Sequence, residues 1–79
     1  MNNEQKLKTV LSNVFNVPAS QIDDNASVDT IESWDSLNHL NLVLAIEQEF
    51  AVSFTEEETV EIMNYPLIKM TLKDHGIAF

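Results

Sequence analysis

The sequence predicts an all-α fold: a small four-helix bundle of three main helices and one short helix, with a long ordered loop between the first and second. Three observations carry that expectation. Apolar residues recur at helical spacing in separate segments, and no stretch of useful length alternates apolar with polar residues. Pro18, Pro66 and Gly76 fall where those periodic segments would begin or end. With 79 residues the chain is expected to form one domain, residues 1–79, around one core. It has no cysteine, so neither a disulfide framework nor a thiolate metal site can support that core.

Leu7, Val10, Leu11, Val14 and Phe15 fall at i, i+3, i+4, i+7 and i+8, which is one face of a helix over about residues 3 to 15. Pro18 stops its continuation, and "VPASQIDDNASVDTIESWD" has neither a helical nor a strand period. Long loops of this kind are uncommon in compact domains and tend to be functional or disordered. Val17, Ile22, Val28 and Ile31 are spaced along it as apolar pins, which predicts an ordered loop laid across the helices.

The helical pattern resumes at Ser36 or Leu37 and runs to Phe50. At 100° per residue Leu42, Val43, Ile46 and Phe50 share the core face. Leu37, Leu40 and Leu44 form a second stripe on the other side, beside Asn41, Glu47 and Gln48, and a small domain has few elements with which to cover it. Thr55 with Glu58 is a capping box opening a short helix to about Met63, with Val60 and Met63 as its apolar contacts. Glu56, Glu57 and Glu58 suit the positive end of that helix. Pro66 opens a last helix that carries Leu67, Ile68, Met70 and Leu72 and stops near Gly76, with Ile77 and Phe79 closing over its end.

Thirteen acidic residues against four basic ones leave a net charge of −9, which repels nucleic-acid backbones and anionic membrane surfaces and favours a monomer. It also favours partners with basic docking patches. No apolar run spans a bilayer, and the first residues resemble no signal peptide, so a cytoplasmic protein without membrane insertion is expected. His39 and His75 lack metal-ligand spacing. His39 lies toward the core side of its helix and reads as a packing or hydrogen-bonding residue. An EF-hand starting at Asp23 fails, because Val28 takes the glycine position and Trp34 the bidentate glutamate position. With one glycine the chain offers no nucleophile elbow, and catalysis by the chain itself is not expected.

Asp35 and Ser36 open the second helix, and either is a good N-cap. On the cap reading alone the chain would be an acidic helical interaction module without a cofactor. The context "IESWDSLNHLNL" adds more: Asp-Ser-Leu opens a helix with an exposed leucine stripe, after a long loop, in a short acidic four-helix chain. Over its whole length the sequence resembles the acyl carrier protein and peptidyl carrier protein family, whose hallmark is Asp-Ser-Leu at the start of the second helix.

That resemblance implies a covalent 4'-phosphopantetheine on Ser36, with Asp35 and Leu37 read by the phosphopantetheinyl transferase that attaches it. It implies a carrier, not an enzyme, holding acyl or related groups as thioesters for fatty acid, polyketide or other dedicated biosynthesis. Partners would include an acyl- or adenylate-forming ligase, a ketosynthase or an acyltransferase. They would dock on Leu37, Leu40, Asn41 and Leu44, steered by Asp35, Glu47, Glu56 and Glu57. Bundles of this family can also shelter an acyl chain between their helices, here among Leu42, Val43, Ile46, Phe50 and Ile62, unless Trp34, Phe50, Phe54 and Tyr65 fill that volume. The chain departs from common fatty-acid carriers in having Ser33 and Trp34 before the motif, where those have glycine nearby, and Asn38 and Asn41 where those carry charge.

Overall fold

The computed structural model describes residues 2–79. Four helices follow one another: α1 (Asn3–Phe15), α2 (Ser36–Phe50), α3 (Glu56–Glu61) and α4 (Tyr65–Asp74). Each begins where a side chain satisfies the otherwise unpaired first amides. Asn2, Asp35, Thr55 and Asn64 are the caps, accepting from the amides of Gln5, Asn38, Glu58 and Leu67. The capping box of Thr55 and Glu58 is complete in both directions.

The bounds of α1 and α2 agree with the apolar periodicity. Leu7, Leu11 and Phe15 of α1 pack with Leu42, Val43, Ile46 and Phe50 of α2 in one apolar core. The loop between them is ordered, as its pins predict: Ile22 and Ile31 are buried, Val17 and Val28 are half-buried against the same core, and Trp34 stacks on Phe15 with ring centroids 4.7 Å apart. Its backbone has structure that no sequence period announced. Ala19–Gln21 form one 3-10 turn. Ser27 bridges to Asn64, with the Val28 amide donating to the Met63 carbonyl and the Tyr65 amide to Ala26. Ser33 Oγ donates to the Phe15 carbonyl at 2.7 Å. These bonds fasten the segment before Ser36 to the ends of α1 and α4.

The C-terminal half departs from expectation in two places. Helix α3 ends at Glu61, two residues short of Met63, and its apolar anchor is neither Val60 nor Met63, which stand 67% and 47% exposed. Ile62, just past the helix, is fully buried instead. So short a helix has a single inward direction, and the turn that ends it swings Ile62 into that position. Helix α4 starts at Tyr65, one residue before Pro66, because Asn64 is its cap. Its buried face is Tyr65, Ile68, Thr71 and Leu72, while Met70 points to solvent. Gly76 stands at φ +90°, a left-handed conformation in which glycine meets no Cβ penalty. Ile77 is half-buried against the core, and Phe79, still 38% exposed, lies 6.5 Å from the Phe50 ring.

Candidate functional site

The start of α2 is the point where loop, α2 and α3 converge. Asp35, in extended backbone, accepts the Asn38 amide on Oδ1 at 2.8 Å, so the helix cap does not use the Ser36 hydroxyl. Asn38 Nδ2 donates to the Ser33 carbonyl, also at 2.8 Å, and clamps the turn from the other side. Ser36 is exposed on the first turn, where the helix dipole is positive and the first amides have no intrahelical partner. The two residues that could each have been the cap are therefore separated in role: Asp35 holds the backbone and Ser36 leaves its Oγ to solvent.

Leu37, Leu40 and Leu44 are 69%, 62% and 64% exposed, a continuous apolar stripe along α2 that no other element covers. Asn41, Glu56 and Glu57 are exposed beside it. Glu47 has an internal role as well: its Oε2 accepts the Phe54 amide at 2.7 Å and its carbonyl receives the amides of Ala51 and Val52, so it organises the turn that leads from α2 toward α3.

Beside Ser36 opens a mainly apolar groove of about 520 Å³. Asp35, Ser36, His39 and Leu40 form its α2 side; Val28 and Trp34 belong to the loop, and Val60 and Met63 to α3 and the residues after it. The exposure of Val60 and Met63 thus has a place in the molecule: in the sequence they read as apolar contacts of α3, and the structure places them along the groove. The only signal of that placement was a lone valine within the acidic run "EEETVE". Leu42, Val43, Ile46 and Phe50 are packed into the core, as their shared helix face predicts, together with Ile62.

His39 is a hydrogen-bonding residue, as its angular position predicts. Trp34 Nε1 donates to His39 Nδ1 at 3.1 Å, and His39 Nε2 lies 2.6 Å from the Thr59 carbonyl. An indole N–H can only donate, so Nδ1 is the acceptor and the proton sits on Nε2, which donates to Thr59. Elsewhere on α3, His75 Nε2 meets the Glu58 carboxylate at 3.0 Å. Among the described residues no cluster of His, Asp or Glu could hold a metal ion, and no helix is long and apolar enough to cross a membrane.

No protein-family model matches the chain. It is 36% identical over 63 residues to the acyl carrier protein of Buchnera aphidicola subsp. Schizaphis graminum (strain Sg), an alignment covering 78% of this chain and 80% of that protein. It is 26% identical over 74 residues to the acyl carrier protein of Helicobacter pylori (strain G27), covering 94% and 95% respectively. With that similarity across most of both chains, and with an all-helical bundle of the expected kind, this chain belongs to the acyl carrier protein family.

Proposed function

We propose that the chain is an acyl carrier: a phosphopantetheinyl transferase attaches 4'-phosphopantetheine to Ser36 Oγ, and acyl intermediates ride on that arm as thioesters. The observation that carries this reading is the division of labour at the start of α2, where Asp35 supplies the cap and the Ser36 hydroxyl is left exposed at the mouth of an apolar groove. The arm brings the thiol that a chain without cysteine lacks. Ser36 offers the attachment oxygen, and the first turn of α2 presents a positive dipole end to the phosphodiester. Asp35 and Leu37 are the motif residues the transferase reads.

The exposed stripe of Leu37, Leu40 and Leu44 forms the apolar centre of a docking surface, with Asn41 on its flank and Asp35, Glu47, Glu56 and Glu57 steering basic patches of the partner. A small apolar stripe within a charged rim suits rapid encounter and release. The partners are a loading ligase of the acyl- or adenylate-forming type and an acyltransferase or ketosynthase of fatty acid, polyketide or another dedicated biosynthesis. The carrier acts as a cytoplasmic monomer of one domain and has no catalytic activity of its own.

Intact-protein mass spectrometry before and after incubation with coenzyme A and a broad-specificity transferase tests the proposal. One phosphopantetheine is gained by the wild type and none by Ser36→Ala. A folded wild-type protein that gains no mass refutes it.

A further inference from the structure

A three-member chain of groups links two residues that line the groove, Trp34 and His39, to the backbone of α3 at Thr59. Trp34 is nearly fully buried, packed on its inner side against Phe15 at 4.7 Å and lying nearly parallel to His39 at 6.3 Å. Its N–H fixes the His39 tautomer, and His39 in turn donates to the Thr59 carbonyl of α3. One side chain of α2 thus binds both the loop before Ser36 and the backbone of the short helix opposite. Helix α3 has only six residues, of which none is buried, so it has little packing of its own to hold it against α2. The His39 bond is a direct polar tie between the α2 and α3 sides of the groove, and Leu42, Ile46 and Ile62 are fully buried in the core.

We propose that Trp34, His39 and the Thr59 carbonyl form a latch that limits how deep an acyl group on Ser36 can enter, so that this carrier shelters short linear acyl groups and leaves the ends of long ones outside. This inference rests on the carrier reading above. A short chain fits along Val28, Leu40, Val60 and Met63 in the open groove with the latch closed. A longer one can bury its end only by parting His39 from Thr59. That leaves the Thr59 carbonyl and the His39 N–H without each other in an apolar setting, a cost that offsets the gain from burying the extra methylenes.

The test uses thermal unfolding of the phosphopantetheinylated protein loaded with butanoyl, octanoyl or dodecanoyl groups, each compared with the unacylated form of the same variant. Sheltered cargo stabilises the folded state, so the rise in Tm with chain length reads the depth of burial. In the wild type the gain levels off between octanoyl and dodecanoyl. In His39→Leu, which keeps apolar volume but no donor, it continues to climb by several degrees, whereas His39→Gln, which can still donate to Thr59, behaves as the wild type. If His39→Leu does not fold, His39→Met, which is also apolar and has no donor for the Thr59 carbonyl, carries the same expectation. Equal octanoyl-to-dodecanoyl gains in wild type and latch variants overturn the latch while leaving the carrier reading intact. Failure of the wild type to accept the arm at all overturns the carrier reading, and this inference with it.

Discussion

The separation of Asp35 from Ser36 can be measured as stability. Replacing Asp35 with Ala removes the acceptor of the Asn38 amide, and loss of such a cap costs about 1 kcal/mol. The carboxylate also sits at the positive end of α2, where a negative charge contributes about 0.5 kcal/mol. For a chain of this length the entropy of unfolding near the midpoint is about 0.17 kcal/mol/K. Asp35→Ala therefore lowers Tm by about 6–9 °C. Asp35→Asn keeps the acceptor and loses only the charge, for a fall of about 3 °C. Ser36→Ala touches neither, and since alanine is the better helix former it stays within about 0.5 kcal/mol of the wild type. Circular dichroism melts at low ionic strength give all three values, and mass spectrometry after transferase treatment gives the modification of each. A Ser36→Ala protein melting as far below wild type as Asp35→Ala would show that the serine is the structural cap and would refute the reasoning.

Three further outcomes follow from single positions. The Tyr65 hydroxyl is fully buried without a hydrogen-bond partner, and burial, reinforced by the charges of Glu4 and Asp24, pushes its ionisation far above the usual range. Tyr65→Phe removes an unsatisfied polar group and raises stability by about 1 kcal/mol, seen as a higher denaturant midpoint at unchanged slope. The Thr55 amide foremost, and then the His75 side chain, hold the Glu58 carboxyl below its ordinary value of 4.5. Because the folded-state value is the lower one, that contribution is present above about pH 4.5 and fades as pH falls through the folded value. Glu58→Gln therefore has a shallower acid limb in a plot of Tm against pH. Ala51 ends α2 at φ 55°, ψ 47°, a left-handed conformation that strains a residue with a Cβ. Ala51→Gly relieves it and gains about 0.5–1 kcal/mol, a rise in Tm of roughly 3–6 °C.

Much of this molecule is encoded locally. The extents of α1 and α2 follow from apolar spacing, and the complete capping box at Thr55 and Glu58 follows from two residues three apart. Even the exposed leucine stripe was legible, because angular position on a helix separates Leu37, Leu40 and Leu44 from the core residues with no knowledge of what surrounds them. Helix α3 was less so, since six residues make too short a window for a period to distinguish inward from outward. Val60 and Met63 read as the apolar contacts of α3, but both are exposed, and Ile62 is the residue buried there. The left-handed end of α2 at Ala51 has no signal at all, for alanine there is set by its neighbours and not by its own preference.

The sequence by itself determined the helix order, the capping box of Thr55 and Glu58 and the Asp35-Ser36-Leu37 motif, because each depends on groups within a turn or two of one another. Only the tertiary structure decided that Asp35 alone is the cap, that the open space lies beside Ser36 and not among the core residues, and that Trp34, His39 and Thr59 meet. Those facts join a loop, a helix and a second helix distant along the chain, and no local period or spacing carries information about which surfaces the packing of a core will bring face to face.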